Sequence, residues 1–561
     1  MMGESSEISG DLQVYEKLRN AFSWRIPVHF NMGVACCRPG DRKKTALITV
    51  DKSGAVGSLT FGDVEALSNR LANTLKGSGV TRGDRVAVVM PQSVDAAVSH
   101  LAIWKLGAIS LPLATLFGTE ALAYRLGDSG ARIALVAPDM YEKIREAAPD
   151  LPILVGGRQM NDRLALSSSE FAPARTQADD PAFLIYTSGT TGSPKGALHA
   201  HRSLLGHLPG FELYYDFVRS PPEGRRDRAL LTALHDPEFP RRRDVIWTPA
   251  DWAWIGGLMD VLVPAWYFGM PVLTADHDWD PEWAIELMAK NAVTLSFLPP
   301  TALKMLRSTG RIRATLQLRA VFTGGESLGA GLLEWGRENF GLSINEGYGQ
   351  TECNLVVGNC ASLWSPKPGS MGRAVPGHKV AVLDEEGQPL VGSVGEVAIK
   401  APDPVMMLAY WNQPQATVEK FRENWLLTGD LALQDEHGYL TFKSRKDDVI
   451  NTMGYRIGPG EIEECLLSHH SVRLTAVVGE PHDVRGQIPV AFVVLNNGFE
   501  GSEALISELQ QQVRAKLGPH EVPRRITFVA DIPRTTTGKI LRRALLSPTS
   551  SQPSLERSAE G

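Results

Sequence analysis

Short apolar runs rich in β-branched residues alternate with segments of helical period from about Thr45 to Arg319. The run ALITV is followed by a helical pattern over 61–77, then by RVAVVM, a second helical pattern over 95–106, and ARIALVA. The runs AFLIY, VTLSFL and LRAVFTG continue the same rhythm. Strands and helices that alternate in this way pack as a largely parallel sheet covered by helices. The sequence therefore predicts an α/β fold, with a large N-terminal domain made of α/β sheet layers.

The pattern changes twice nearer the C-terminus. After Gly372, short strands and turns follow one another, as in KVAVLDEEGQPLVGSVGEVAIK, which predicts a small β subdomain. A polar stretch at 444–448, SRKDD, then precedes a segment with strand and helix patterns of its own, which indicates a small α+β C-terminal domain. We predict domains at 1–446 and 447–546, and a disordered tail at 547–561, where Ser, Pro and Gly are frequent.

Composition excludes several classes of protein. The 561 residues, 43% hydrophobic and 21% charged, lack the bias of disordered, collagen-like or disulfide-rich chains. A net charge of −6 argues against nucleic-acid binding, because no concentrated positive field is present to meet a phosphate backbone. Five cysteines without CxxC spacing, and an N-terminus without a signal segment, predict a cytoplasmic location. The apolar segment 252–275 is interrupted by Asp260 and two prolines, so we expect a buried helix followed by a strand there, not a membrane span.

The segment YTSGTTGSPKG at 186–196 carries the strongest chemical signal. Hydroxyl residues and glycines leave backbone N–H groups free to approach an anion, and a lysine adds a point charge. The segment follows an apolar strand but is not a Walker A loop, because Pro194 stands where that motif needs a glycine before its lysine. We predict a phosphate-binding loop formed by Thr187, Ser188, Gly189, Thr190, Thr191, Gly192 and Lys195.

This loop resembles the phosphate-loop signature of the adenylate-forming superfamily of acyl-CoA synthetases, luciferases and peptide-synthetase adenylation domains. Six further motifs follow in the order of that superfamily: WTPADWAWIGG (247–257), FTGGESL (322–328), NEGYGQTE (345–352), LLTGDL (426–431), SRKDDVINTMGYRIGPGEIE (444–463) and PRTTTGK (533–539). The resemblance covers about residues 46–543, and in appearance the chain is similar to medium-chain and acetyl-CoA synthetases. It implies a C-terminal domain that is mobile, with Asp447 at the hinge.

The resemblance implies an AMP-forming acyl-CoA synthetase, in which ATP and a carboxylic acid give an acyl-adenylate and coenzyme A then displaces AMP. A carboxylate that attacks the α-phosphate brings two anions together, so the site must neutralise charge and align the reactants. Lys539 matches the family lysine that bridges these two groups. The other catalytic candidates are Thr351 and Glu352. Glu352 is also the candidate ligand for Mg²⁺, which prefers oxygen ligands beside substrate phosphates.

The resemblance also assigns binding residues for both nucleotide substrates. Asp430 and Arg445 match the positions that contact the ribose, and Arg456 lies nearer the phosphates. The segments around adenine contribute Gly324, Gly325, Glu326, Glu346, Gly347, Tyr348, Gly349 and Gln350. Weaker matches for coenzyme A are Met453, Gly454, Tyr455, Arg485, Arg514 and Arg524.

Four residues are expected to line the pocket for the acid. Gly349 stands where acetate-specific relatives carry a tryptophan, so room for several methylenes is expected. Trp252, Trp254 and Leu258 would form an apolar wall, although core packing is an equal alternative for the tryptophans. We therefore expect a short- to medium-chain or branched fatty acid. An aryl or hydroxy acid stays open, because the stretch 113–117 and the polar insert 220–244 depart from the medium-chain pattern.

Other readings of the sequence are less favoured. The stretch 325–329, GESLG, matches the G-x-S-x-G elbow of serine hydrolases, which would make Ser327 a nucleophile, but the pattern is short. A stand-alone adenylation enzyme that loads a separate carrier protein also stays open. The mixed charges of the insert 220–244 predict a solvated loop. The sequence leaves the oligomeric state undecided, with a homodimer among the options.

Overall fold

A computed structural model describes residues 2–37, 42–187, 194–218, 243–310, 312, 316–452, 455–482, 485–519, 521–534 and 540–546. The chain forms two compact units. The first contains residues 1–380, 399–426 and 437–440, and the second contains 381–398, 427–436 and 441–561. The domain boundary near Asp447 stays a prediction, and the tail at 547–561 lies outside the described residues.

One sheet of the first unit has, in the described part of the chain, the strand order Ala409–Tyr410, Lys195–Ala200, Pro181–Thr187, Ile109–Pro112, Arg85–Val89, Ile133–Val136, Ile153–Val155. The last five strands run parallel to one another, and Lys195–Ala200 pairs antiparallel with both Pro181–Thr187 and Ala409–Tyr410. This sheet contains the strands predicted from RVAVVM, ARIALVA and AFLIY.

The second sheet of this unit has the order Arg373–Ala374, Cys353–Gly358, Asn345–Gln350, Ala320–Gly324, Leu295–Phe297, Ile246–Trp247, Val272–Ala275, Thr45–Val50, Val56–Thr60. Its strands run parallel from Asn345–Gln350 to Thr45–Val50, and antiparallel strands complete both edges. Three of the sequence motifs therefore follow or end parallel strands at the same edge, which is where α/β sheets bind ligands. The predicted α/β fold is confirmed.

Helices cover these two sheets. The helix predicted over 61–77 is Phe61–Gly77, and it begins with a capping box in which Thr60 and Asp63 bond each other's backbone N–H groups. The other helical segments of the unit are Met2–Ala21, Met32–Ala35, Val94–Lys105, Thr119–Ser129, Pro138–Met140 (3₁₀), Tyr141–Ala147, Arg158–Ala165, Ser203–Tyr214, Ile255–Gly257, Leu258–Leu262 (π), Val263–Tyr267, Pro281–Lys290, Pro300–Ser308, Ala330–Phe340 and Pro414–Glu419. A continuous hydrophobic core includes residues from both sheets and from these helices.

The apolar segment at 252–275 is buried inside the first unit, as predicted. Three short helical pieces from Ile255 to Tyr267 lead into the strand Val272–Ala275. Among the described residues, no helix is long and apolar enough to cross a membrane.

The polar insert is closed at its base by one ion pair. Residues 219–242 lie outside the described residues, but the chain on both sides is held by Arg319. Its guanidinium bonds the Asp244 carboxylate and also the Tyr215 and Phe217 carbonyls, at 2.8 and 3.1 Å. The two ends of the insert are therefore tied to one side chain.

The second unit contains most of the strands of two further sheets. In the first, the strands Pro389–Leu390, Val380–Leu383, Val394–Lys400 and Trp425–Gln434 lie in this order, and Leu440–Arg445 and Phe421–Arg422 also pair with Trp425–Gln434. The second sheet has the order Tyr455–Ile457, Ile450–Thr452, Gly486–Leu495, Val472–His482, with Arg525–Phe528 on Gly486–Leu495. The helices are Pro459–Leu467, Glu503–Lys516 and Arg542–Leu545. The predicted β subdomain and small α+β C-terminal segment are thus both present.

Candidate active site

The phosphate-loop motif joins two antiparallel strands. Thr187 is paired with Lys195 across the hairpin, and its Oγ1 donates a 3.3 Å hydrogen bond to the Lys195 carbonyl. The Tyr124 hydroxyl donates to the Pro194 carbonyl at 3.1 Å and so fixes the end of the connection. A Walker A loop leads into a helix, so the strand found here agrees with the argument against that motif. The motif residues outside the described part of the chain are Ser188, Gly189, Thr190, Thr191 and Gly192.

Lys195, Glu352 and Tyr410 form a connected cluster in the first unit. The Tyr410 hydroxyl donates to Glu352 Oε1 at 2.5 Å, and Lys195 Nζ lies 5.3 Å from the centre of the Tyr410 ring. The Glu352 carbonyl accepts from the Met407 N–H at 2.9 Å, so the segment before Tyr410 is also held. Glu352 is buried. One aromatic ring therefore separates a cation suited to phosphate from a carboxylate suited to a metal ion.

Glu352 suits a magnesium ion by the chemistry of its donors. Within the described residues, no group of three or more His, Cys, Asp or Glu side chains could hold a metal by itself. Mg²⁺ in nucleotide sites usually takes one or two protein carboxylates and completes its shell with phosphate oxygens and water. Glu352 Oε2 receives no hydrogen bond from the described residues, so it can serve as that single carboxylate oxygen.

The two adenine motifs meet at the ends of neighbouring parallel strands. Gly324 is paired with Gly347, and a Cβ on Gly324 would lie 2.8 Å from the Gly347 carbonyl oxygen. Gly347 in turn packs on Phe322 and Tyr214. Gly325 differs, because its φ of +89° is in the left-handed region and a Cβ there would meet open space. Of these glycines, only Gly325 thus borders space that a flat ring could occupy.

The polar residues of these motifs partly hold each other. Glu346 Oε1 accepts from the Leu328 N–H at 3.2 Å, which ties the turn after one strand to the next strand. Thr301 Oγ1 donates to Glu326 Oε2 at 3.3 Å. Tyr348 is half-buried. The register between the strands of Tyr348 and Val357 shifts before Gln350, so Gln350 and Thr351 lie at an irregular strand end. Their contacts with a nucleotide stay predictions.

The predicted acid-pocket residues do not share one environment. Trp252 and Leu258 belong to the hydrophobic core, which agrees with the packing alternative, whereas Trp254 is half-buried with its ring edge-on to Phe117 at 5.6 Å. A Cβ on Gly349 would lie 2.4 Å from the Leu355 backbone nitrogen. The space beside Gly349 is thus filled by the neighbouring strand.

In the second unit, the two predicted ribose residues are in direct contact. Arg445 Nη1 donates to Asp430 Oδ1 at 2.9 Å, and Arg445 Nε donates to Asp447 Oδ1 at 3.3 Å. Burial alone would lower the pKa of Arg445, but the charges of Asp430 and Asp447 outweigh it and raise that pKa. Asp430 is buried. The candidate hinge residue Asp447 is therefore linked to the ribose pair through one guanidinium group.

Three arginines predicted for coenzyme A also lie near one another. Arg514 is in the helix Glu503–Lys516, Arg524 precedes the strand Arg525–Phe528, and Arg485 precedes Gly486–Leu495. Burial lowers the pKa of Arg524, and the nearby charges of Arg485 and Arg514 lower it further. Like charges that gather in this way favour a polyanionic ligand.

Several predicted residues cannot be placed. Lys539, Met453 and Gly454 lie outside the described residues. The backbones of Tyr455 and Arg456 form a strand paired with Ile450–Thr452.

Sequence reasoning missed Tyr410 and a set of buried polar side chains in the first unit. Tyr410 stands 58 residues after its partner, in a stretch without any charged or glycine-rich signal. Burial lowers the pKa of His199 to about 3 and that of His207 to about 4, so both rings are neutral near pH 7. The Asn354 amide bonds both His207 and Asp260. Only the polar character of these residues within apolar runs could have drawn attention to them.

Comparisons with known proteins agree with the motifs. The model of the AMP-binding enzyme family matches residues 38–411, and that of the AMP-binding enzyme C-terminal domain matches 461–539. The chain is 32% identical to the acetyl-coenzyme A synthetase of Bacillus subtilis, over 87% of this chain and 84% of that protein. It is 32% identical to the mitochondrial acyl-coenzyme A synthetase ACSM4 of Rattus norvegicus, over 89% and 86%. The crystal structure of the anthranilate CoA ligase AuaEII with anthranoyl-AMP superposes with a TM-score of 0.82 at 28% identity, covering 93% of this chain and 97% of that one.

Proposed function

Because this chain belongs to the AMP-binding enzyme family and is an AMP-forming acid–thiol ligase that uses ATP and coenzyme A, we propose that it activates a short- to medium-chain or branched fatty acid. The acid attacks the α-phosphate of ATP, diphosphate leaves, and the thiol of coenzyme A then displaces AMP from the acyl-adenylate. A cytoplasmic location is part of this proposal.

The observation that supports adenylate formation is the cluster of Lys195, Tyr410 and Glu352. A cation and a carboxylate near the phosphate loop meet the charge demands of adenylate formation. The hydrogen bond from Tyr410 fixes Glu352, so the carboxylate need not reorganise when a nucleotide arrives. We propose Glu352 as the Mg²⁺ ligand, and the bound ion would supply charge neutralisation at the phosphates.

The pair Asp430 and Arg445 supports a nucleotide ribose site in the second unit. A carboxylate accepts from the ribose hydroxyls and a guanidinium donates to them. We propose Lys539 as the lysine that bridges acid and α-phosphate, and Asp447 as the hinge of a C-terminal domain that alternates between the two half-reactions. Replacement of Lys539 by Ala should abolish adenylate formation and spare thioester formation from supplied acyl-AMP. Equal loss of both half-reactions would contradict this assignment.

An aryl acid is the second candidate substrate class. The observation that favours it is the likeness to an anthranilate CoA ligase, together with the core position of Trp252 and the filled space beside Gly349, which leave the pocket wall undefined. Transfer of the acyl group to a carrier protein is the alternative for the second half-reaction.

The test is acid-dependent exchange of diphosphate into ATP over a panel of acetate, propionate, butyrate, isobutyrate, hexanoate, octanoate and benzoate, followed by AMP release with and without coenzyme A. We expect exchange with one aliphatic chain-length class and AMP release that requires coenzyme A. Exchange with benzoate alone would favour the aryl acid. AMP release that is not stimulated by coenzyme A would point to a carrier protein as acceptor.

A further inference from the structure

Asp260 is a buried carboxyl group in an apolar helical segment, and the proposed reaction does not use it. It lies on the π-helical turn Leu258–Leu262, six residues after Trp254, and only 4% of its surface is exposed. A π-turn inside a helix is frequently found at a functional site. A buried carboxyl group without a counter-charge is costly, so its presence needs an explanation.

The hydrogen bonds around Asp260 leave one of its oxygens unused. The His207 ring donates from Nδ1 to the Ser203 carbonyl at 2.6 Å, so the neutral ring accepts at Nε2. The Asn354 amide donates both of its N–H groups, one to His207 Nε2 at 3.3 Å and one to Asp260 Oδ1 at 2.5 Å. In the described part of the chain, Asp260 Oδ2 has no hydrogen-bond partner.

This arrangement fits a neutral carboxyl group with its proton on Oδ2. Oδ1 is occupied as an acceptor, and no cation faces the group among its hydrogen-bond partners. Burial raises the pKa of Asp260 well above its ordinary value, and the Asn354 hydrogen bond lowers it only in part. A protonated carboxyl group in such a site donates one hydrogen bond. It therefore matches an acceptor oxygen, not an alkyl chain or an ammonium group.

Gly256, two residues after the predicted pocket residue Trp254, lies next to this carboxyl group, and Gly349 lies next to its partner Asn354. Asp260 Oδ2 lies 3.7 Å from the position that a Cβ on Gly256 would occupy, and Phe297 is 3.1 Å from the same position. Asn354 Oδ1 lies 2.8 Å from the corresponding position on Gly349. Gly256 thus brings backbone, not a side chain, next to Asp260 Oδ2.

We propose that Asp260 determines specificity by donating a hydrogen bond from Oδ2 to a hydroxyl or oxo oxygen carried by the acyl part of the acid. The inference rests on the proposed function, because it assumes that the acid binds beside Trp254 and Gly256. Within the proposed class, it favours acids whose chain carries a hydroxyl or oxo oxygen. When an apolar acid of the same length binds, the Asp260 carboxyl group stays without a hydrogen-bond partner.

The test compares acids that differ only by one oxygen: butyrate with 3-hydroxybutyrate, hexanoate with 6-hydroxyhexanoate, and benzoate with 4-hydroxybenzoate. The full chain and its Asp260→Leu variant are assayed by diphosphate exchange, and kcat/KM is taken as a ratio within each pair. For at least one pair we expect a ratio above tenfold in favour of the oxygenated acid, and a fall of at least tenfold in Asp260→Leu. Because the ratio is taken within one protein, a general loss of folded enzyme cancels.

Asp95→Asn provides a control, since Asp95 is a half-buried carboxyl group that accepts from the Gly157 N–H outside this region. Its ratios should equal those of the wild type. Asp260→Asn keeps an N–H donor and should retain a larger part of the preference than Asp260→Leu. If exchange occurs but no pair favours the oxygenated acid, the inference is wrong and the proposed function stands. The same holds if the ratio in Asp260→Leu equals that of the wild type. Absence of exchange with every acid overturns the proposed function and the inference together.

Discussion

The hydroxyl of Tyr410 donates a hydrogen bond to Oε1 of Glu352 at 2.5 Å, between residues 58 positions apart. The two side chains are brought together because the strand of Tyr410 pairs with Lys195–Ala200, while the Glu352 carbonyl is bonded to the chain just before that strand. The position of the proposed metal ligand thus depends on the same hairpin that carries the phosphate loop.

Removal of the Tyr410 hydroxyl should slow adenylate formation. In Tyr410→Phe, Glu352 loses its donor and can turn away, so we expect kcat/KM for ATP in diphosphate exchange to fall about tenfold or more, since hydrogen bonds to charged groups contribute about 1.5–3 kcal/mol. A higher Mg²⁺ concentration should be needed for half-maximal rate. Tyr439→Phe is the control, because its hydroxyl bonds the Ser365 carbonyl elsewhere in the unit. An unchanged Mg²⁺ requirement in Tyr410→Phe would contradict the role given to Glu352.

The contact between Asp430 and Arg445 predicts that the enzyme discriminates between the ribose of ATP and a deoxyribose. Asp430→Asn keeps the size of the side chain but removes the charge that accepts from ribose hydroxyls. We expect wild-type enzyme to prefer ATP over 2′-deoxy-ATP or 3′-deoxy-ATP, and Asp430→Asn to lose about tenfold of that preference. The measurement is kcat/KM for each nucleotide. If Asp430→Asn loses activity but keeps the wild-type preference for ATP over the deoxy nucleotides, the pair only supports the fold.

The fold was accessible from sequence where the physical signal is local. The helix Phe61–Gly77 has an apolar period and a Thr–Asp capping box, and both signals lie within the segment itself. The strands before the phosphate loop and at LRAVFTG are recognisable by their β-branched apolar runs. Motif order then predicted Glu352, Asp430 and Arg445 as parts of one kind of site.

The parts that sequence could not supply depend on contacts between distant segments. Tyr410 becomes relevant only through strand pairing, and the buried group of His207, Asn354 and Asp260 joins three separate elements. The space predicted beside Gly349 also depends on tertiary packing, because Leu355 fills the room that the absent side chain suggested. Residue type alone does not reveal such crowding.

This crowding makes Gly349 intolerant of any side chain. A Cβ at 349 would lie 2.4 Å from the Leu355 nitrogen and 2.7 Å from Asn354 Cα, so Gly349→Ala must displace backbone. We expect it to destabilise the protein by about 1–3 kcal/mol, as overpacking does. Gly331→Ala is the control, since it lies in the helix Ala330–Phe340 with no atom closer than 3.9 Å and should be neutral or stabilising. Thermal unfolding of both variants checks this, and equal midpoints would refute the crowded packing.

Acid stability should depend on His100. Burial lowers its pKa to about 3 from an ordinary value of 6.5. Between these two values, His100 is protonated in the unfolded chain but neutral in the folded protein. This group therefore removes stability as the pH falls from about 6.5 towards 3, by about 1.4 kcal/mol per pH unit. His100→Phe also loses the bond to Ser110 Oγ, but that cost does not vary with pH in this window. The free energy of unfolding of His100→Phe should therefore rise relative to that of the wild type as the pH falls.

The measurement for His100 is the difference in unfolding free energy between variant and wild type at pH 7 and pH 5. We expect it to shift by about 2 kcal/mol in favour of the variant. The same substitution at the exposed His277 serves as control. A difference that stays constant with pH would show that His100 is not held neutral by its surroundings.

The arginine cluster of the second unit should affect only the thioester half-reaction. Burial lowers the pKa of Arg524, and the nearby charges of Arg485 and Arg514 lower it further. A phosphate group bound among the three arginines would relieve that repulsion. We expect Arg514→Ala and Arg524→Ala each to raise KM for coenzyme A about tenfold, with little effect on pantetheine, which lacks the nucleotide phosphates. Diphosphate exchange, which needs no coenzyme A, should be unchanged. Arg473→Ala, at an exposed position of the same unit, is the matched control. If KM for pantetheine rises as much as that for coenzyme A, the cluster does not bind the phosphates, and the arginines lie together for another reason.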